Sequence, residues 1–276
     1  MGALWNVPIA FVGGGTMAEA LIRGLLGKEL ATRQQIAASD PLDERRTHLS
    51  EQLGIKAFSC NLNAIAGARI VVLAIKPQVL ATVLKELAGK IDRDTLTVTI
   101  VAGARVDTIR SGLGTSAVVR IMPNTPGQVG EGISVWTASR EVSRSQMDQA
   151  REIVCALGDE VYVEDEDYLD MATALSGSGP AYVFYFAEAL IDAGVRMGFS
   201  RAVARKLVLQ TVRGSAIFAH KTGLHPAVLR NMVTSPGGTT AAALHELDRG
   251  GLRAAVSQAV WAAYQKARNL GGLDSE

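Results

Sequence analysis

Val7-Pro8-Ile9-Ala10-Phe11-Val12-Gly13-Gly14-Gly15-Thr16-Met17-Ala18 runs from an apolar segment through three glycines into a stretch whose apolar positions, Met17, Ala20, Leu21 and Leu25, recur at helical spacing. Strand, glycine turn and helix, in that order, open a dinucleotide-binding unit. Gly13-x-Gly15-x-x-Ala18 supplies its fingerprint, with alanine in the small third position. The first glycine permits the tight turn and Gly15 lets backbone approach a pyrophosphate. Ala18 permits close helix–strand contact, and the helix N–H groups of the first turn receive the anion. A glycine triplet by itself is weak evidence; the strand before it and the helix after it carry the assignment. Gly13, Gly15, Thr16 and Met17 are therefore candidate cofactor-binding residues.

Working outward, further strands are expected at Ile36 to Ser39, Lys56 to Phe58, Arg69 to Ile75, Leu96 to Val101, Ala117 to Ile121, Ile133 to Trp136 and Glu160 to Val163. Helical patterns lie between them: a charged one ending near Leu53, a short one from Asn61, then Val79 to Ala88 and Ser145 to Leu157. This alternation predicts right-handed βαβ units and a largely parallel sheet covered on both faces. Composition changes at the acidic run Glu164-Asp165-Glu166-Asp167, which reads as the solvated N-terminus of a helix rather than a metal site. Beyond it every segment fits a helix. The expected class is α/β: residues 1–164 form a Rossmann-type NAD(P)-binding domain, and residues 165–276 an all-α domain. Helices this apolar in about a hundred residues are expected to bury against another subunit.

Composition narrows the function. A net charge of +1 and sparse aromatics argue against nucleic-acid or anionic-membrane partners. Met1 to Val7 shows no basic region followed by an apolar one, and no apolar run reaches membrane-spanning length. Cys60 and Cys155 are isolated, which suits a reducing cytoplasm, the expected location. There is no HExxH, CxxC or Gly-x-Ser-x-Gly motif, and His220 and His225 do not share a helix face, so no metal is expected.

Four further stretches are candidates for chemistry. At the end of the second strand stand Ser39 and Asp40, followed by Arg45 and Arg46. An acid there binds a ribose 2′-hydroxyl, whereas an arginine accepts a 2′-phosphate, so the choice between NAD and NADP stays open. Asp40 before Pro41 also reads as a helix N-cap, and Asn61 either caps its own helix or faces the adenosine. Ala74, Lys76 and Pro77, then Asn124 within Met122-Pro123-Asn124-Thr125-Pro126, follow strands at the edge where open sheets bind ligands. Ala174-Leu175-Ser176-Gly177-Ser178-Gly179-Pro180-Ala181-Tyr182 reads as a glycine-rich helix start with Ser178 as a capping candidate. In Thr234-Ser235-Pro236-Gly237-Gly238-Thr239-Thr240, consecutive N–H groups at a helix N-terminus suit a carboxylate, and the turn holds more glycine and hydroxyl than capping needs.

Together these stretches resemble the Δ1-pyrroline-5-carboxylate reductase family over essentially the whole chain. The two most specific are Leu175 to Tyr182 and Ser235 to Thr240. The resemblance implies hydride transfer from NAD(P)H to the cyclic imine of (S)-1-pyrroline-5-carboxylate, giving L-proline. It implies NADPH as the usual cofactor, with NADH the alternative; Asp40 departs near the discriminating position. It implies helical domains that intertwine as homodimers or larger homo-oligomers, with the nicotinamide facing the helical domain. By the same match, the substrate carboxylate sits on Gly237, Gly238 and Thr239 with Ser235 nearby, and Thr240 holds the imine nitrogen as the catalytic residue. Ser176 and Ser178 line the nicotinamide side. A β-hydroxyacid dehydrogenase is the nearest enzyme alternative, but Ala181 to Met197 lacks the lysine those enzymes carry. A non-catalytic NAD(P) sensor would not need the hydroxyl-rich turn.

Overall fold

The computed structural model describes residues 2–270. Eight strands form one sheet: β1 (Ile9–Val12), β2 (Ile36–Ser39), β3 (Lys56–Phe58), β4 (Ile70–Leu73), β5 (Leu96–Thr99), β6 (Val118–Met122), β7 (Gly132–Ala138) and β8 (Gly158–Tyr162). Their order is β3-β2-β1-β4-β5-β6-β7-β8. All neighbours are parallel except β6 and β7. The helices among them are α1 (Thr16–Gly27), α2 (Asp43–Leu53), α3 (Asn61–Ile65), α4 (Leu80–Leu87), α5 (Val106–Leu113) and α6 (Arg144–Cys155). The order reverses on either side of β1 and β4, which makes the C-terminal ends of these two strands the switch point of the sheet.

Burial explains the β1 sequence. Ile9 and Phe11 pack with Leu21, Ile22, Leu25 and Ile36 on one face, while Ala10 and Val12 pack with Val71, Leu73, Leu84 and Ile109 on the other. Alternate side chains of a strand point to opposite faces, so a strand covered on both sides must be apolar throughout. Each fully buried Leu, Ile or Phe contributes roughly 1.5–3 kcal/mol. Helix α5 is absent from the pattern reading. Its eight residues include Thr108, Ser111 and Gly112, weak helix formers, and only Val106, Ile109 and Leu113 mark the buried face.

After β8 the chain is helical: α7 (Tyr168–Ala172), a π-helical turn (Thr173–Gly177), α8 (Gly179–Arg196), α9 (Arg201–Thr222), α10 (Pro226–Met232), α11 (Thr239–Arg249) and α12 (Leu252–Leu270). Two compact units result. One contains the residues up to Ser178 and those from Ala263 on; the other is Gly179–Ala262. The boundary read from composition, 164/165, marks where strands give way to helices. The packing boundary comes later because α7 is tied to the sheet by charge. Residues 271–276, the end of the expected helical domain, and Met1 lie outside the described residues.

That charge tie corrects the reading of the acidic run as solvated. Arg120 of β6 is 2% exposed; its guanidinium donates to Asp170 of α7 at 2.7 Å and to Glu166 at 2.9 Å. Arg105 pairs with Asp167 at 2.9 Å and with Glu166 at 3.6 Å, and Glu166 also accepts the Val106 N–H. Two of the four acids therefore neutralise cations of the nucleotide-binding unit. Among the described residues no helix is long and apolar enough to cross a membrane.

Removing one partner of a buried ion pair leaves an uncompensated charge, at a cost of about 3–5 kcal/mol. Asp170→Ala should lower the unfolding free energy by about 3 kcal/mol in urea titrations. A loss below about 1 kcal/mol would show that Glu166 alone suffices for Arg120.

Candidate functional site

The glycine turn leaves β1 at the switch point and is pinned from three sides. Gly13 donates its N–H to the Ser39 carbonyl at the end of β2 (2.9 Å). Its φ is +98°, and a Cβ there would lie 2.5 Å from the Ala74 carbonyl oxygen, just past β4. Glycine is therefore obligatory by conformation and by space. The Gly14 N–H donates to Asp40 Oδ2 (2.9 Å), and the Gly14 carbonyl accepts two bonds from Arg45 (3.0 and 2.6 Å). Gly15 is the N-cap of α1; no side chain caps that helix, and a Cβ on Gly15 would meet nothing within 4 Å. Open space beside the uncapped end of a twelve-residue helix suits an anion on the first-turn N–H groups. These residues fit the diphosphate of a dinucleotide.

The adenosine-side candidates converge at the end of β2. Ser39 is buried and its hydroxyl donates to Asn61 Oδ1 (2.7 Å), while Asn61 Nδ2 donates to Glu86 (2.8 Å). Asn61 does not cap α3, whose N-cap is Cys60. Nor is Asp40 the cap of α2: that position falls to Leu42, because the Asp40 carboxylate accepts the Leu42 N–H through Oδ1 (2.9 Å) and holds Gly14 through the other oxygen.

A cluster that motif reading missed stands beside the turn. Glu19, in the first turn of α1, binds Arg45 (2.8 Å), Arg23 (2.8 Å) and His48 (2.9 Å). Burial works to raise the Glu19 pKa, but hydrogen bonds from His48, Arg45 and Arg23 outweigh it and hold the group at about 2. His48 is thus a partner of Glu19. The available signal was the glutamate one turn into the fingerprint helix, with basic residues at the following helix.

The nicotinamide-side candidates lie at the ends of β4 and β6. Ala74 donates its N–H to the Val12 carbonyl (2.8 Å), and exposed Lys76 leads into the turn Pro77–Val79. Asn124 bridges two elements: its Oδ1 accepts the Ile133 N–H (3.0 Å) and its Nδ2 donates to the Ser176 carbonyl (3.2 Å). Asn124 thereby brings the β6 loop and the π-helical turn together. Within that turn the Ser176 hydroxyl donates to Ala172 O and the Ser178 hydroxyl to Thr173 O, both at 3.0 Å. Ser178 closes the π-helical turn with αR backbone and turns its hydroxyl back to Thr173, so it does not serve as the side-chain N-cap of α8. A Cβ on Gly177 would meet Met122 Cε at 2.7 Å, so this glycine seats the turn on the end of β6. π-Turns concentrate at functional sites.

In the second unit, Gly238 is the N-cap of α11 with no side-chain cap, Gly237 has φ +71°, and the Gly238 N–H donates to the Ser235 carbonyl (3.1 Å). Thr239 and Thr240 open the helix, with Thr240 half-buried and Ser235 exposed. The turn is an uncapped eleven-residue helix start ringed by hydroxyls, and it offers donors to a small carboxylate. Among the described residues no group of His, Cys, Asp or Glu suits a metal ion.

Comparison with known proteins follows this geometry. Residues 166–270 match the family model described as pyrroline-5-carboxylate reductase dimerisation, and residues 8–103 the one described as NADP oxidoreductase coenzyme F420-dependent. The chain is 40% identical to the pyrroline-5-carboxylate reductase of Synechocystis, over 96% of this chain and 99% of the relative. It resembles the solved pyrroline-5-carboxylate reductase of Coxiella burnetii with a TM-score of 0.88 and 34% identity, covering 96% of this chain and 98% of the other. A Plasmodium falciparum pyrroline carboxylate reductase, solved with NADP bound, has a TM-score of 0.88 and 31% identity at the same coverage.

The open space at Gly15 makes its role testable. Gly15→Val should fold normally yet raise the Kd for NAD(P)H at least about a hundredfold, because the valine occupies space left for the ligand. Unchanged binding would refute the fingerprint assignment. The Glu19 cluster should show in pH-dependent stability. A carboxyl lowered from 4.5 to about 2 stabilises the fold fully above pH 4.5 and loses that contribution as pH falls through 2. The stability gap between wild type and Glu19→Gln should therefore be widest near neutrality and close towards pH 2 in denaturant titrations.

Proposed function

The chain belongs to the pyrroline-5-carboxylate reductase family, and from that premise we propose that it reduces the C=N bond of (S)-1-pyrroline-5-carboxylate with NAD(P)H, giving L-proline. One observation carries the reading: a pinned dinucleotide turn and an uncapped, hydroxyl-rich helix start occur together in one chain.

The proposed roles follow the chemistry of each position. Gly13, Gly15, Thr16 and Met17 hold the diphosphate on the N–H groups of α1. Ser39, Asp40 and Asn61 serve the adenosine end. Ala74, Lys76, Pro77 and Asn124 serve the nicotinamide ribose, with Ser176 and Ser178 lining the nicotinamide side. When bound, the nicotinamide would supply the hydride that the imine carbon of the substrate receives. The N–H groups of Gly237, Gly238 and Thr239, with the Ser235 hydroxyl, take the substrate carboxylate. The Thr240 hydroxyl hydrogen-bonds the imine nitrogen and fixes the ring. A protonated imine is the better electrophile, and the substrate itself brings that proton, so these residues need no strong acid. Their work is orientation and electrostatics.

The proposed assembly is a homodimer or a larger homo-oligomer. Supporting it, α8 buries only Ala187 and Gly194 within the chain, while Phe184, Tyr185 and Phe186 are exposed. Three consecutive aromatic side chains left in solvent on one helix form an apolar patch of the kind that marks an interaction surface. The proposed compartment is the cytoplasm, in keeping with two free cysteines.

Addition of pyrroline-5-carboxylate to protein and NAD(P)H should give steady cofactor oxidation; none with either cofactor would end the reading. Thr240→Ala should lower kcat/KM at least tenfold, about 1.4 kcal/mol of transition-state contact, with the melting temperature preserved. Wild-type turnover in that variant would remove Thr240 from catalysis.

A further inference from the structure

We infer that the adenosine end of the site favours a free ribose 2′-hydroxyl, making NADH the better cofactor for this chain, and that Asp40 and Glu19 together set the choice. The inference rests on the reductase reading and specifies which nicotinamide cofactor that site takes.

Asp40 is the first residue after β2, where the adenosine ribose of a dinucleotide lies. Its carboxylate is held in place by two backbone donors, Gly14 N–H on one oxygen and Leu42 N–H on the other, both 2.9 Å. Each oxygen keeps acceptor capacity, which a ribose hydroxyl can use. A 2′-phosphate has no proton to offer in return and brings roughly two negative charges against a fixed carboxylate.

A phosphate at this place needs a cation, and both arginines of α2 are already committed to acceptors of the protein. Arg46 donates to the Asp40 and Pro41 carbonyls (2.9 and 2.8 Å) and to Asp43 (2.8 Å). Arg45 is turned onto the glycine loop, with two bonds to the Gly14 carbonyl and a third to Glu19. Glu19 retains its negative charge down to about pH 2, so it holds Arg45 across the physiological range. Arg45 therefore shapes the loop. Glu19 is a positioning residue acting through Arg45, and Asp40 is the residue that meets the ribose.

Direct titration of the intact protein, without substrate, reads the choice through nicotinamide fluorescence. The Kd for NADH should be at least about tenfold below that for NADPH, since a like-charge contact costs several kcal/mol. Asp40→Asn keeps an acceptor oxygen at the same place without the charge, and should shrink that ratio by tightening NADPH. Glu19→Gln should release Arg45 and shift the Kd ratio at least about threefold in favour of NADPH, whatever the change in the loop does to both cofactors alike. Thermal melts confirm that both variants fold. Wild type binding NADPH as tightly as NADH overturns the inference and leaves the reductase reading intact. A ratio unchanged in both folded variants likewise overturns it. Binding of neither cofactor overturns the inference together with the reading beneath it.

Discussion

The approach of Gly13 to the Ala74 carbonyl is the constraint on which the nucleotide-binding unit depends. A Cβ at residue 13 would sit 2.5 Å from that oxygen, so β1 and the chain leaving β4 can close on one another only through glycine. This closeness fixes the origin of α1. No side chain caps its first turn, and a Cβ on Gly15 would meet nothing within 4 Å. The bond from Gly13 to Ser39 and that from Gly14 to Asp40 extend the same anchorage to β2. These contacts together hold the ends of three adjacent strands around the glycine turn.

Much of this was legible in the sequence because it rests on local rules. All eight strands, and the placement of Asp40, Lys76 and Asn124 at the C-terminal edge of the sheet, follow from apolar runs and the residues that stop them. What escaped was non-local. Helix α5 is short and poor in helix formers, and packing against α4 sustains it. The proline beside Asp40 suggests a cap as one of its two roles, whereas its carboxylate reaches Gly14, 26 residues earlier, as well as Leu42. Ser178 looked like a helix start because glycine and proline follow it, yet the π-helical turn carries the helix through. Glu19 carries no motif. Its importance comes from three basic side chains, two of which α2 delivers.

The candidate substrate turn is legible for a different reason. Gly237 at φ +71° and an uncapped Gly238 are local consequences of Pro-Gly-Gly-Thr-Thr, so sequence and structure give the same information there. Roles for individual hydroxyls depend on bound ligands and are tested by substitution.

The Arg120 pairing bears on how this protein can be taken apart. Its carboxylate partners come 46 and 50 residues after it in the chain. A fragment cut where the strands end, at residue 164, would carry a desolvated guanidinium with its counter-ions left on the discarded piece. Dissection after Ser178 keeps donor and acceptors on one polypeptide, so a minimal dinucleotide-binding fragment has to include helix α7.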